Sequence, residues 1–140
     1  MKLYIKKMHE AAVLPSFAHT TDAGMDLCTS VEITINPGER ASVPTGIAMQ
    51  IPEGHVGLIW DKSGISQKVG LKTLGGVIDA GYRGEIFVGL FNAGKDAHTF
   101  LPGQKVAQIL IQEIKQPELE VVESLEDSSR GEGAFGSTGK

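Results

Sequence analysis

The sequence predicts an all-β domain with one short helix, and three observations carry that expectation. Its 140 residues include 18 Gly and 6 Pro, spaced so closely that little room remains for a long helix. Several segments alternate apolar and polar residues with period two, the mark of a half-buried strand. Turn chemistry separates those segments, as in Asn36-Pro37-Gly38 and Pro52-Glu53-Gly54.

The elements follow in order. Residues 3–8 read as a first strand, and residues 10–23 as irregular. Val31, Ile33 and Ile35 alternate with Glu32 and Thr34, a strand closed by the Asn36-Pro37-Gly38 turn. Residues 40–51 are extended, and Pro44 places them at an edge or a bend. A strand at residues 55–60 follows the next turn, with Trp60 packed at its end. Residues 63–69 are the one segment that reads as helix.

Residues 85–92 carry Ile86, Val88 and Leu90 on one face and Phe87 and Phe91 on the other. Such a strand is expected to be buried on both faces, inside a sandwich or against another subunit. Residues 106–114 have the same character, and residues 119–122 form a short last strand. Eight to ten short strands suggest a β-sandwich, jelly roll or barrel, with no repeat and no internal boundary. Residues 1–124 make this core. Residues 125–140 have few large apolar side chains, namely Leu125 and Phe135, and are expected to form a mobile tail.

Composition narrows the function. Thirteen Lys and Arg against 17 Asp and Glu give a net charge of −4, a poor basis for gripping a nucleic-acid backbone. No apolar run approaches the roughly 20 residues that cross a bilayer. Cys28 is alone, which excludes an intrachain disulfide and points to a reducing compartment. The first residues lack the apolar stretch of a signal peptide, so a cytoplasmic location is expected. The four histidines and Cys28 form no ligand pair of metal-site spacing, and no G-x-S-x-G elbow occurs.

Four segments join small, polar and acidic residues at turns: residues 22–26, 61–66, 75–84 and the tail. Glycine beside Ser or Thr lets several backbone N–H groups approach one anion. The run Gly75-Gly76-Val77-Ile78-Asp79-Ala80-Gly81-Tyr82-Arg83-Gly84 reads as a tight hairpin. Its Asp79 has the chemistry of a general base, although an isolated aspartate in a turn more commonly caps it.

Read in order, five segments resemble the motifs of the trimeric all-β dUTP diphosphatase (dUTPase) family. They are Asp22-Ala23-Gly24-Met25-Asp26-Leu27, Lys62-Ser63-Gly64-Ile65-Ser66, Gly76-Val77-Ile78-Asp79-Ala80-Gly81-Tyr82-Arg83-Gly84, Gly103-Gln104-Lys105-Val106-Ala107-Gln108, and Arg130-Gly131-Glu132-Gly133-Ala134-Phe135-Gly136-Ser137-Thr138-Gly139. Together they span nearly the whole chain.

The resemblance implies a distorted jelly-roll β-barrel or sandwich in a homotrimer, with active sites between subunits closed by C-terminal tails. It implies hydrolysis of dUTP to dUMP and pyrophosphate with Mg²⁺, which keeps uracil out of DNA and supplies dUMP for thymidylate synthesis. Carried over by position, Asp79 activates the water that attacks the α-phosphorus. Tyr82 lies under the deoxyribose and leaves no space for a 2′-hydroxyl. The backbone of the hairpin, at Gly76, Val77 and Ile78, pairs with the uracil edge. Ser63, Gly64 and Gln108 hold phosphate oxygens, and Asp26 acts on Mg²⁺ indirectly through water. Phe135 lies over the uracil, and Arg130, Gly136, Ser137 and Thr138 close on the phosphates.

Two positions depart from the family. Lys62 and Lys105 stand where arginine is usual, which keeps the charge but loses the planar fork that grips two oxygens. The departure at Lys62 bears on phosphate anchoring, and that at Lys105 is expected to matter less. The related dCTP deaminases carry a catalytic glutamate ten residues after the motif's aspartate, where this chain has Gly89. A non-catalytic β-module is the other alternative, and the presence of Asp79, Tyr82 and Phe135 argues against it.

Overall fold

Alternating segments and glycine turns become ten strands and one helix in the computed structural model, which describes residues 1–132. The strands are β1 (Tyr4–Lys7), β2 (Met25–Cys28), β3 (Ile33–Ile35), β4 (Arg40–Gln50), β5 (His55–Trp60), β6 (Leu71–Leu74), β7 (Val77–Ile78), β8 (Glu85–Asn92), β9 (His98–Phe100) and β10 (Lys105–Glu113). The helix α1 spans Ser63–Val69 and ends at Gly70. One sheet runs β1-β4-β8-β6, a second runs β2-β10-β5-β7, and β3-β9 form a two-stranded ribbon. Every pairing is antiparallel.

The two sheets bury one shared core. Val43, Ile47, Ile86, Val88 and Leu90 come from the first sheet, and Leu27, Ile59, Val106, Ala107 and Ile109 from the second. Ile35 and Phe100 add the ribbon to the same cluster. This is the sandwich that alternation predicts, with inward apolar side chains interdigitating between layers. Asn92 is fully buried and satisfied. Its Nδ2 donates to the Ile35 and Asp96 carbonyls, each at 2.9 Å, and its Oδ1 accepts from Gly94 N–H at 2.9 Å. It thereby ties the ribbon to β8.

Pro44 bends β4 as expected. The pairing of β4 with β8 shifts register between Pro44 and Ala48, and β1 pairs only with residues beyond it. The missing proline N–H therefore faces no partner strand. Among the described residues no helix is long and apolar enough to cross a membrane.

Two expectations are corrected. Residues 119–122 form no strand, and Leu119 and Val121 are almost fully exposed. A strand needs a partner ladder, which the described residues do not give this segment. Trp60 does not pack inward: it ends β5 on the face opposite Ile59 and is 53% exposed. In β8 one face is buried within the chain, and Phe87 is 46% exposed on the other, which leaves burial against another subunit as the open alternative for that face.

Candidate active site

The anion-binding candidates gather where β2, β10 and the β5–α1 junction meet. Asp26 lies in β2 and is buried. Its Oδ1 accepts from Lys62 Nζ, and its Oδ2 is 2.6 Å from Lys105 Nζ. Among the described residues no donor meets Oδ2 with hydrogen-bond geometry, so the Lys105 contact is ionic. A register shift between Lys105 and Ala107 puts Lys105 opposite Cys28, on the face of the sheet that carries Asp26.

Burial works to raise the Asp26 pKa. The Lys105 and Lys62 ammonium groups outweigh it and hold the carboxyl below its usual range. The bond to Asp26 raises the Lys105 ammonium in return. Burial, reinforced by the Asp26 charge, pushes the Cys28 thiol up, away from reactive thiolate character.

Gln108 stands in β10 opposite both Asp26 and Trp60. Its Nε2 donates to the Asp61 carbonyl at 2.8 Å. Gly24 makes room for this side chain, since a Cβ there would lie 2.6 Å from Gln108 Oε1. Ser63 and Gly64 open α1 beside Lys62, both exposed, with free space around Gly64. The structure therefore brings together Asp26, Lys62, Ser63, Gly64, Lys105 and Gln108.

Residues 75–84 form a second group, a hairpin-like turn whose arms do not pair with each other, because β7 pairs with β5 and β8 with β4 and β6. Gly76 has φ +109, a backbone that side-chain-bearing residues rarely adopt, and a Cβ there would come within 2.9 Å of the Ile59 carbonyl. Its own carbonyl accepts from Ile59 N–H at 2.8 Å. Val77 and Ile78 then pair with Leu58 and Gly57 of β5. The strand is thus fixed to the second sheet before the chain turns at Asp79.

Tyr82 N–H donates to the Asp79 carbonyl at 3.0 Å, and Arg83 Nη1 donates to the Ala80 and Tyr82 carbonyls at 2.6 and 2.8 Å. Tyr82 Oη donates to the Glu85 carbonyl at 2.9 Å, which fixes the ring. Asp79 is left exposed, with its carboxylate open to solvent chemistry. Asp79 and Tyr82 line a cleft of about 260 Å³ with Val77, Ile78, Glu85 and Phe87. Lys62, Ser63 and Gln108 do not line it. The base hairpin and the phosphate corner are separate surfaces of one chain.

Arg130 is exposed within a turn closed by Gly131 N–H on the Ser128 carbonyl at 3.0 Å. Phe135, Gly136, Ser137 and Thr138 lie outside the described residues. Two contributors were not legible in the sequence. Lys105 was expected to matter less than Lys62, yet it meets the same carboxylate. Asp61 joins three elements, and only its place before Lys62-Ser63-Gly64 drew notice to it.

The donor set does not fit a metal ion held by protein side chains. No three His, Cys, Asp or Glu side chains converge among the described residues, and both Asp26 oxygens face lysine.

Known proteins resemble this chain in sequence and in fold. A family model described as dUTPase matches residues 10–139. The deoxyuridine 5'-triphosphate nucleotidohydrolase of Gloeothece citriformis is 43% identical, covering 99% of this chain and 97% of its own. That of Clostridium tetani is 45% identical with the same coverage. A mutant dUTPase of Staphylococcus bacteriophage 80alpha, solved with dUpNHpp, superposes with a TM-score of 0.94 at 32% identity and covers 99% of both chains. A mutant dUTPase from phage phi11 of S. aureus, whose structure reveals the coordination of a structural Mg(II) ion, has a TM-score of 0.85 at 31% identity. It covers 91% of this chain and all of its own.

Proposed function

The chain belongs to the dUTPase family, and from that premise we propose how its own residues convert dUTP to dUMP and pyrophosphate. It is a hydrolase of nucleotide metabolism. The observation that carries the mechanism is the fixed hairpin with Asp79 exposed at its turn, above a cleft that Tyr82 also lines.

Water supplies the nucleophile. Its oxygen forms a bond to the α-phosphorus while the bond from that phosphorus to the bridging oxygen breaks, and pyrophosphate leaves. Asp79 accepts the water's proton, and general-base help of this kind is worth roughly 10²–10⁴-fold. The uracil edge meets the backbone of Gly76, Val77 and Ile78, whose position is set by β5. A cytosine presents a donor where that backbone also donates, which leaves buried groups unpaired. The Tyr82 ring, held through Glu85, supports the sugar face.

Lys62, Ser63, Gly64 and Gln108 take the phosphates, and Arg130, Phe135, Gly136, Ser137 and Thr138 close over the nucleotide. Mg²⁺ enters as part of the Mg–dUTP substrate, its charge offsetting that of the phosphates. Asp26, paired with two lysines, sets the position of those cations. Because the hairpin and the phosphate corner lie apart on one chain, a complete site needs a second copy. A homotrimer with sites between subunits, in the cytoplasm, fits that requirement and the exposed Phe87 beside the cleft.

The test is direct. Purified protein is mixed with each of dUTP, dCTP, dTTP and UTP, with and without Mg²⁺, and pyrophosphate and ammonia are measured. Pyrophosphate from dUTP alone, only with Mg²⁺, is expected. Ammonia from dCTP would support the deaminase reading, and no product from any nucleotide would support a non-catalytic module.

A further inference from the structure

Asp61 is not among the residues that the sequence places at the reaction, yet it joins more of the site than any of them. It connects the end of β5 to α1, directly before Lys62 and Ser63. Its Oδ1 accepts from Thr73 N–H at 2.7 Å, and its Oδ2 from Lys72 Nζ. Its carbonyl accepts from Gln108 Nε2 at 2.8 Å. The side chain is mostly buried, 19% exposed, whereas Lys72 is 57% exposed.

These contacts cross between the sheets. Thr73 and Lys72 lie in β6, at the edge of the first sheet, paired with β8. Gln108 and the end of β5 belong to the second. From Thr73 the chain runs through Leu74, Gly75 and Gly76 into β7, which Asp79 directly follows. One aspartate therefore links the phosphate corner to the segment that leads into the hairpin. Burial works to raise the Asp61 pKa. The Lys72 and Thr73 bonds outweigh it, which keeps the carboxylate charged and its bonds strong.

We propose that Asp61 is a positioning residue for the reaction: through Thr73 N–H and Gln108 it fixes the connection from β6 to β7 relative to the Lys62-Ser63 corner. This rests on the dUTP-hydrolysing function proposed above. The ion pair with exposed Lys72 is secondary, since water screens such a pair and its side chain is held at an entropic cost. The essential contact is the short bond to a backbone N–H, whose geometry a methylene would spoil.

Asp61→Asn, Asp61→Glu and Asp61→Ala separate geometry from charge. Asparagine keeps an oxygen for Thr73 N–H and loses the charge. Glutamate keeps the charge and displaces the oxygen. Pyrophosphate release is measured across dUTP concentrations, and amide exchange at Thr73 is followed without turnover. We expect kcat within about threefold of wild type for Asp61→Asn and about 10–100-fold lower for Asp61→Glu and Asp61→Ala, with KM moving less. Thr73 protection should be lost only in the latter two. Wild-type kcat in Asp61→Glu, or an Asp61→Asn as slow as Asp61→Ala, overturns the proposal. Should Asp61→Ala not fold, the contrast between asparagine and glutamate decides. Wild-type protein inactive on dUTP would instead overturn the proposed function. A Thr73 amide as unprotected in wild type as in Asp61→Glu would overturn the link regardless of turnover.

Discussion

The Lys62 ammonium sits on the Asp26 carboxylate, across 36 residues of sequence, with Lys105 on the other oxygen of the same group. A buried carboxylate thus holds two cations at the corner where phosphate is proposed to bind. Two positive charges on one negative leave the cluster net positive, which suits an anion. Lysine presents that charge as a point, without arginine's two-pronged grip.

Substitution at Lys62 should expose this difference. Lys62→Arg should hold or raise kcat/KM for dUTP, because the fork can reach a phosphate oxygen and Asp26 together. Lys62→Ala should lower it by about 10–100-fold, the equivalent of one charged hydrogen bond of about 1.5–3 kcal/mol. Steady-state pyrophosphate assays decide. Equal efficiency of wild type and Lys62→Ala would show that Lys62 serves only Asp26.

Acid should loosen the same cluster. The folded-state pKa of Asp26 is depressed by its two lysines, so its contribution to stability is full above the ordinary carboxylate value. It is lost as pH falls below about 4, through the folded-state value. The raised Lys105 works in the opposite sense, with a contribution lost only at high alkaline pH. Asp26→Asn should therefore melt below wild type at pH 7, by the equivalent of about 1.5–3 kcal/mol. The gap should close as pH drops from 5 towards 3 (on the order of the linkage range). Asp61, which carries a similar shift, is common to both proteins and cancels. A gap that stays constant or widens in acid would contradict the assignment.

Asp79→Asn should leave melting and nucleotide binding intact, since the side chain is exposed and the turn is held by backbone bonds and Arg83. Turnover should fall roughly 10²–10⁴-fold, because the amide cannot take the water's proton. Binding of a non-hydrolysable dUTP analogue, measured beside the pyrophosphate assay, distinguishes loss of chemistry from loss of affinity. Near-normal turnover would remove Asp79 as the base.

Tyr82 should govern the choice between deoxyribose and ribose. Its hydroxyl is tied to the Glu85 carbonyl, so the ring cannot swing away to admit a 2′-hydroxyl. Tyr82→Ala should weaken dUTP binding and narrow the preference over UTP, read as the ratio of the two kcat/KM values. Tyr82→Phe breaks only the tether to Glu85 and should fall between. If Tyr82→Ala rejects UTP as strongly as wild type, the sugar gate lies elsewhere.

The sequence revealed this architecture where its elements were long or punctuated. β4, β5, β8, β10 and α1 stand close to where alternation and turns put them, because each has enough residues to show a period. β2, β6, β7 and β9 escaped, since each is short and none sits in a longer alternation like that of Val31, Ile33 and Ile35 at β3. Residues 119–122 misled for the converse reason, an apolar run without a partner strand. At the proposed site, residues 75–84 stood out as a group because they are contiguous, while the roles of Asp79 and Tyr82 rest on the family resemblance. The lysine pairing of Asp26 and the linking role of Asp61 were not, because both depend on contacts between distant strands. Such contacts leave no spacing to read.

The last prediction concerns the C-terminal segment. Residues 115–132 contribute no buried side chain to the core, and the described part contains only an isolated turn at Arg130. Removing chain whose described part adds no buried side chain should cost the fold little. The fifth motif, by contrast, is proposed to close over base and phosphates, and closure that expels water strengthens each electrostatic contact inside. A chain ending after Ser129 should therefore keep its secondary structure, melting temperature and oligomer size, while turnover of dUTP collapses. A melting curve, a sizing column and a pyrophosphate assay on one truncated preparation give all three readings. Normal turnover would exclude the segment from the reaction. Unfolding, or dissociation to monomers, would show instead that residues 130–140 hold the assembly together.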